Sequence, residues 1–174
     1  RGTFEQGFGL WRVTVRGRAT KALTRPDRAH SIDAAADPSP ISGDIVLQTN
    51  RGAGAVFPFH LAILRPGEAT PRTFGPRVSG SVDGPRWSPD GRSLAFAADG
   101  DLFVYRLTGR RLIRVTSDRA SDLAPDWSPD GRALVFQSDR RIASGGLHLV
   151  ELDSGRIHDL GEGRTPVWTA RVFR

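Results

Sequence analysis

A ten-residue segment that occurs twice is the feature that most constrains how this chain can fold. Residues 87–96 read Trp-Ser-Pro-Asp-Gly-Arg-Ser-Leu-Ala-Phe, and residues 127–136, 40 positions later, read Trp-Ser-Pro-Asp-Gly-Arg-Ala-Leu-Val-Phe. A less similar copy at residues 37–51 aligns without a gap on residues 126–140, and Trp168 begins a further copy. Self-similarity at a fixed period predicts repeated units that bury their apolar faces by stacking on one another.

The rest of each period also repeats, as short apolar runs. Residues 101–107 correspond to residues 146–152, and residues 59–64 and 9–15 are earlier counterparts. Gly, Asp and Pro separate these runs, and no long segment shows the periodicity of a helix. Four short runs in about 40 residues are typical of a propeller blade. We therefore predict an all-β fold, a β-propeller of four-stranded antiparallel blades with about four repeats.

Two tetrapeptides, Ser88–Gly91 and Ser128–Gly131, predict tight turns between the first and second strands of their blades. Proline at the second position presets φ near about −65°, and glycine can adopt the positive φ with which such a turn ends. Trp87 and Trp127 recur at blade spacing, which favours rings packed between neighbouring sheets over a ligand-stacking role. The residues with a predicted structural role in the repeat are Trp87, Ser88, Pro89, Asp90, Gly91, Trp127, Ser128, Pro129, Asp130, Gly131 and Trp168.

These motifs resemble the TolB-like propeller repeat, a WD40-like repeat with the motif Trp-Ser-Pro-Asp-Gly. The same repeat occurs in the periplasmic TolB protein, in the propellers of prolyl-oligopeptidase-type peptidases and in many bacterial envelope proteins. The resemblance is weakest at Ile41, Ser42 and Gly43, which stand in place of Asp-Gly-Arg. It implies a single propeller domain over residues 1–174. Its repeats are expected at residues 25–83, 84–124 and 125–164, with partial repeats at residues 1–24 and 165–174.

The number of blades is left open by the sequence. Such repeats form six-bladed toroids in this family, whereas the chain holds about four. Residues 166–173 could supply the first two strands of the blade whose outer strands are residues 10–15 and 19–24, which would close a four-bladed ring. The alternative is that the chain forms part of a six-bladed toroid, and the absence of Met together with the family's size favours it.

The charge of the chain comes almost entirely from arginine. The sequence has 25 basic and 19 acidic residues, a net charge of +6, and Lys21 is its only lysine. The arginines are scattered among turns beside aspartates rather than in blocks, which favours a solvated surface over a nucleic-acid interface. No segment reaches the roughly 20 apolar residues of a membrane-spanning helix. We predict neither a nucleic-acid partner nor direct insertion into a membrane.

The sequence lacks the residue patterns of common catalytic sites. No serine lies in a Gly-x-Ser-x-Gly motif, so the nucleophile elbow of hydrolases is absent. The histidines at positions 30, 60, 148 and 158 do not have the spacing of metal-binding motifs, and no glycine-rich phosphate loop is present. Without Cys, disulfides and thiolate sites are excluded. We therefore predict that the chain is not an enzyme, with no catalytic residue, metal site or cofactor.

Aspartates recur at equivalent positions of two repeats. Asp33 and Asp37 correspond to Asp122 and Asp126, and Asp118 lies just upstream. The first strands of a propeller line its central channel, so carboxylates there could bind a cation or a basic peptide. Alternatively, Asp at strand ends accepts backbone N–H bonds in turns, and this interpretation is the one we favour for the cluster as a whole. The candidates for binding at the channel mouth are Asp33, Asp122 and Asp118.

Together these patterns favour a non-catalytic scaffold propeller that binds a protein or peptide partner. The resemblance to TolB implies a periplasmic or otherwise extracytoplasmic setting in the bacterial cell envelope. Other domains of a longer parent chain are further candidate partners. The alternative function is a gating propeller that controls substrate access to a prolyl-oligopeptidase-type serine peptidase whose catalytic domain is not in this chain.

Overall fold

The computed structural model describes residues 7–14, 19–25, 31–52, 58–141 and 145–168. Within these ranges the chain forms fourteen β-strands and one short 3-10 helix, Thr108–Arg110. The prediction of an all-β fold is confirmed.

The strands form three four-stranded sheets and one two-stranded sheet, each of them antiparallel. We call the three complete sheets blades 1, 2 and 3 in chain order, and the small sheet the N-terminal hairpin. The N-terminal hairpin contains β1 (Trp11–Thr14) and β2 (Ala19–Ala22). Blade 1 contains β3 (Asp33–Pro38), β4 (Ile45–Thr49), β5 (His60–Leu64) and β6 (Arg72–Thr73). Blade 2 contains β7 (Val82–Trp87), β8 (Ser93–Ala98), β9 (Asp101–Arg106) and β10 (Arg111–Arg114). Blade 3 contains β11 (Asp122–Trp127), β12 (Ala133–Ser138), β13 (Gly146–Glu151) and β14 (Ile157–Glu162).

The predicted repeat boundaries differ from the blades in a regular way. The predicted boundaries at residues 83/84 and 124/125 fall inside β7 and β11, because the first strand of each blade begins five residues before its tryptophan. The Trp-Ser-Pro-Asp-Gly motif marks the end of a first strand, in agreement with the turns predicted between the first and second strands. The assignment of residues 1–174 to a single domain stays a prediction.

Each blade packs its first strand onto the first and second strands of the blade before it, so the second strands are buried. Leu94 and Phe96 of β8 are completely buried, and so are Leu134 and Phe136 of β12. A strand covered on both faces by neighbouring sheets has this near-continuous apolar character. Trp87 packs in the core cluster between blades 1 and 2, and Trp127 packs in the cluster between blades 2 and 3, each 7% exposed.

The first strands converge, whereas the last strands diverge. β7 contacts β3 and β11 on its two sides, while β6, β10 and β14 make no extensive contact with another blade. Sheets that approach one another along their first strands and separate toward their fourth strands are arranged around an axis, as in a propeller. The first strands thus lie nearest that axis.

Each first strand contains a β-bulge at the same place. The register with the second strand shifts between Ala34 and Asp37 in β3, and the equivalent shifts occur in β7 and β11. The bulged residues have positive φ: Ala35 (46°), Gly84 (54°) and Ala124 (50°). Since positive φ strains a residue that carries a Cβ, blades 1 and 3 tolerate a conformation that blade 2 adopts with glycine.

The Ser-Pro-Asp-Gly turns of blades 2 and 3 are closed by the same hydrogen bonds. In blade 2 the Ser88 hydroxyl donates to Asp90 Oδ1 (2.6 Å) and accepts the Ser93 N–H (2.9 Å). This hydroxyl and the Arg92 N–H, which also donates to Asp90 Oδ1 (3.0 Å), hold the pKa of Asp90 below its usual range. Gly91 has the expected positive φ of 64°. The equivalent bonds of blade 3 join Ser128, Asp130, Arg132 and Ala133.

The turn of blade 1 has the same length but different chemistry. The Ser39 hydroxyl accepts the N–H groups of Ile41 (3.3 Å) and Ser42 (3.2 Å), and the residue with positive φ is Gly43. The side chain of Ile41 occupies the space that a Cβ on Gly91 would fill. The turns of blades 1 and 2 are therefore in direct contact.

The C-terminal segment continues the array beyond blade 3. The Trp168 N–H donates to Asp126 Oδ2 (2.6 Å), as the Trp87 N–H donates to Asp37 Oδ2 (2.7 Å) between blades 1 and 2. Trp168 thus occupies the position of a first-strand tryptophan, although it is 37% exposed. The predicted closing strands over residues 166–173 lie largely outside the described residues, so ring closure stays a prediction.

Candidate functional site

The first strands carry the candidate site because they lie nearest the axis of the array. Three positions per strand distinguish the blades: 33, 35 and 37 in blade 1, 82, 84 and 86 in blade 2, and 122, 124 and 126 in blade 3. We call the side of the array on which the first strands of the blades begin the ion-pair face. The opposite side, with the Ser-Pro-Asp-Gly turns, is the turn face.

Asp33 lies on the ion-pair face in a buried cluster inside blade 1. Arg51 donates to its carboxylate through Nε (2.9 Å to Oδ1) and through a terminal nitrogen (2.6 Å to Oδ2). The Thr49 hydroxyl adds a third bond to Oδ1 (2.7 Å). A further bond from Arg51, to the Arg25 carbonyl (2.6 Å), connects the cluster to the segment that follows the N-terminal hairpin.

Asp122 forms the corresponding cluster in blade 3. One terminal nitrogen of Arg140 lies 2.8 Å from both of its carboxylate oxygens, and Arg140 Nε donates to the Ser138 hydroxyl (2.9 Å). The Arg140 guanidinium also lies over the ring of Phe136, 5.3 Å from its centroid. The other terminal nitrogen reaches Asp118 Oδ2 at 3.2 Å.

The three predicted contact residues therefore differ in accessibility. The side chains of Asp33 and Asp122 are completely buried, so a partner could reach their carboxylates only by displacing an arginine. The Asp118 side chain is 47% exposed and lies at the open edge of the cluster. Sequence reasoning missed the two arginines, although a common signal was present: each lies 18 residues after its aspartate.

Blade 2 has an apolar set at the same place. Val82 pairs with Ala98 as Asp122 pairs with Ser138, both residues are buried, and Gly100 stands at the position of the arginine. Blade 2 instead has its buried carboxylate on the third strand, where Asp101 accepts a bond from Arg114 of β10. Blades 1 and 3 are thus alike on this face, and blade 2 differs at all three positions.

A second set of contacts joins neighbouring blades. It lies where the first strands end and the turns to the second strands begin. Blades 1 and 3 have Asp37 and Asp126 there, and these carboxylates accept the N–H of the next blade's tryptophan. Blade 2 has Arg86, which cannot accept such a bond. The Trp127 N–H turns to its own Asp126 Oδ1 (3.1 Å), and the Trp127 indole N–H donates to the Arg86 carbonyl (3.2 Å).

These three side chains interact electrostatically along the axis side of the array. Burial raises the pKa of Asp37, and the nearby Asp126 carboxylate acts in the same direction. The Trp87 N–H and the Arg86 guanidinium act in the opposite direction but do not cancel the effect of burial. Asp37, Arg86 and Asp126 are each half-buried. Together they form a polar strip along the first strands, with the arginine between the two carboxylates.

The turn face contains an open groove between blades 2 and 3, with a volume of about 1160 Å³. Its walls include Trp127 and Val104. Its charged side chains are balanced, three of each sign: Arg92, Arg106, Arg132, Asp90, Asp130 and Asp153. We call it the blade 2–3 groove.

The histidines occupy unrelated environments. His60 is exposed on β5, His148 is buried against the Phe136 ring, and His158 contacts Glu151 Oε1 at 2.8 Å. His30 lies outside the described residues. Over the described part of the chain, no three His, Cys, Asp or Glu side chains are grouped as metal ligands would be, and no helix is long and apolar enough to cross a membrane.

Residues 68–171 match the family model described as the TolB beta propeller domain, which covers more than half of the chain. No curated protein has a matching sequence. Similar solved structures include a protein of Agrobacterium tumefaciens assigned as TolB, with 19% identity and a TM-score of 0.74 over 88% of this chain and 55% of that one. TolB from Acinetobacter baumannii shares 12% identity, with a TM-score of 0.69 over 88% of this chain and 37% of that one.

Enzymes are also among the similar structures. A puromycin-hydrolyzing peptidase of Mycobacterium tuberculosis shares 20% identity, with a TM-score of 0.67 over 89% of this chain and 26% of that one. The chain spans about half the length of the Agrobacterium protein and less of the other two. At these identities the likeness concerns the fold, which is the repeated four-stranded blade.

Proposed function

The chain belongs to the TolB beta propeller family, and from this premise we propose that it is a non-catalytic scaffold that binds a protein or peptide partner in the bacterial cell envelope. The proposed location rests on the similarity to TolB proteins. Propeller blades present loops from both ends of a rigid disc, a surface suited to an extended partner.

The observation that carries this proposal is the continuity of the turn face. Ile41 of blade 1 contacts the turn of blade 2 at Gly91, and Pro89 of that turn lies 3.8 Å from the position a Cβ would take on Gly131 of blade 3. Three successive turns therefore form one connected row. A surface fixed in this way loses little conformational entropy when a partner binds.

On the ion-pair face we assign direct contact to Asp118 and its neighbour Arg140. The buried Asp122 carboxylate fixes the position of Arg140 by hydrogen bonding, and Asp33 does the same for Arg51 in blade 1. In this proposal the two buried aspartates, which the sequence suggested as contact residues, position the arginines instead.

Site-specific photo-cross-linking in intact bacteria tests the proposal. The cross-linking residue replaces Arg132 on the turn face, Asp118 on the ion-pair face, or Leu160 on the outermost strand β14 as a control. We expect discrete cross-linked protein species from a face position, and none from Leu160, which is exposed but lies on the rim. Identical cross-linking from all three positions, or from none, would contradict a binding face.

The second candidate function is a gating propeller of a serine peptidase, which the similarity to the mycobacterial peptidase supports. It requires a hydrolase domain in the same parent protein. Labelling the full-length parent protein with a fluorophosphonate, which reacts with activated serines, separates the two functions. Labelling would favour the gating function, and its absence together with cross-linking at Arg132 or Asp118 would favour the scaffold.

A further inference from the structure

A second groove on the turn face lies between the N-terminal hairpin and blade 1, and we call it the hairpin groove. It has a volume of about 400 Å³ and an apolar floor made by Leu23, Ile45 and Leu64. The same three side chains belong to the cluster that packs the hairpin segment onto blade 1. The groove is therefore built by a tertiary contact and not by a single loop.

Four cationic side chains line this groove from both sides. Arg12 and Lys21 come from the hairpin, Arg25 from the segment after it, and Arg65 from the turn that follows β5 of blade 1. Within the described ranges, none of these four side chains makes an ion pair or a side-chain hydrogen bond. Like charges on facing walls repel one another, so an anion between them would relieve this repulsion.

Glu68 is the acidic residue of the groove, and it is already partly engaged. Its Oε1 accepts a bond from Arg72 at 3.0 Å. Its Oε2 is buried and has no hydrogen-bond partner among the described residues. A buried carboxylate oxygen without a partner is costly, so rotation of the Glu68 side chain toward a ligand N–H in the groove would be favourable.

The blade 2–3 groove shows that this charge pattern is not a general property of the turn face. That groove lies on the same face but has equal numbers of Arg and Asp side chains. The hairpin groove has four cations and one carboxylate. The excess of positive charge is thus local to the contact between the hairpin and blade 1.

We propose that the hairpin groove binds a short acidic peptide segment of a protein partner, an inference that rests on the proposed binding function. The four cations face the peptide's carboxylates, and Leu23, Ile45 and Leu64 contact its apolar side chains. Glu68 accepts a backbone N–H once its side chain has rotated to bring Oε2 into the groove. A ligand that offers carboxylates, apolar groups and N–H donors together matches this lining, and a simple anion matches only part of it.

Fluorescence anisotropy with the full chain tests this inference. The probe is a labelled peptide of alternating Glu and Leu, and the control probe has Lys in place of Glu. We expect the acidic probe to bind at least tenfold more tightly than the basic one, and binding to weaken as salt is raised. Equal binding of both probes would overturn the inference, as would complete displacement of the acidic probe by inorganic phosphate at matched ionic strength.

Charge variants locate the site. We expect Lys21→Glu to weaken binding of the acidic probe at least tenfold and Lys21→Arg to change it less than twofold. Arg132→Glu, an equivalent charge reversal in the blade 2–3 groove, is the matched control and should have less than a twofold effect. Similar losses for Lys21→Glu and Arg132→Glu would show attraction by the net charge alone and overturn the assignment.

Because Lys21 is the only lysine, reductive methylation of its amine gives an independent readout by mass spectrometry. The acidic probe should slow modification of Lys21 at least fivefold, and no protection would contradict binding in this groove. The cross-linking experiment in cells distinguishes the two proposals. If Lys21→Glu leaves cross-linking of the partner unchanged, the groove assignment fails while the scaffold function stands.

Discussion

The first strand of blade 2 differs from those of blades 1 and 3 at every position that distinguishes the blades. Blades 1 and 3 have Asp, Ala and Asp where blade 2 has Val82, Gly84 and Arg86. The partners change with them, since a hydroxyl and an arginine in blades 1 and 3 become Ala98 and Gly100 in blade 2. The same positions of the blade therefore hold a buried ion pair in blades 1 and 3 and a set of small apolar residues in blade 2. Neither set leaves a buried charge without a partner.

The comparison shows that the aspartate, the hydroxyl residue and the arginine occur together, and that the blade fold does not require them. A buried carboxylate without its arginine would be an uncompensated charge, whereas an apolar set of similar size avoids the cost of desolvation. The largest effects are expected where one member of a set is changed alone.

Asp122→Ala should be the most damaging single change, because Arg140 would lose its buried partner. We expect the free energy of unfolding to fall by about 3 kcal/mol. The matched variant Asp122→Val with Ser138→Ala and Arg140→Gly transfers the set of blade 2, and it should lose less than half as much. Urea unfolding of both variants measures the difference. A triple variant at least as unstable as Asp122→Ala would show that the sets are not interchangeable.

Arg86→Asp gives blade 2 the residue of blades 1 and 3 at the other end of the strand. The new carboxylate would lie near Asp37 and Asp126, so we expect a loss of about 1 kcal/mol at neutral pH through like-charge repulsion. The loss should shrink in mildly acidic solution as the carboxylates are protonated. Arg86→Asn, which adds an acceptor without a charge, is the control. Equal unfolding free energies of the two variants at neutral pH would rule out the electrostatic explanation.

Exchanges at the bulge should have smaller effects of opposite sign. Ala124→Gly relieves a positive φ and is expected to stabilise the protein by about 0.5 kcal/mol, while Gly84→Ala imposes that strain on blade 2 and destabilises it by a similar amount. Thermal unfolding of the two variants, compared with the parent chain, provides the measurement. A shift of the same sign in both would contradict the assignment of strain to these positions.

The smallest effect concerns pH and Asp37, whose pKa is raised in the folded protein. A raised pKa means that the folded state resists ionisation, so stability is lost as the pH rises from the usual value of 3.8 through the raised pKa. Asp37→Asn keeps an acceptor for the Trp87 N–H and removes this cost. The variant's gain in unfolding free energy should be largest at neutral pH and vanish below pH 3.8. A gain that is independent of pH would contradict the burial of this charge.

The repeat itself could be predicted because its turn chemistry is local. Ser88, Asp90 and Gly91 form a turn through bonds between residues at most five positions apart, and such contacts are visible in the sequence. The β character of the flanking runs and the division into four-stranded blades followed from the period.

The accessibility of the aspartates could not be predicted in the same way. An Asp at the start of a strand has the same local pattern whether it faces a partner or a buried arginine. The distinguishing signal was the spacing to Arg51 and Arg140, which has meaning only once the hairpin pairing is known. The hairpin groove combines Arg12 and Lys21 with Arg65, and no local pattern relates residues so far apart.

The ion pairs within a blade and the hydrogen bonds between blades differ in how much of the chain must be synthesised before they can form. Asp122 begins β11 and Arg140 closely follows the adjacent strand β12, so their pair can form as soon as this segment has emerged. The bond from Trp87 to Asp37 spans 50 residues, and the bond from Trp168 to Asp126 spans 42. Each blade can thus neutralise its own buried charges during synthesis, before the residue that attaches it to the next blade has been translated.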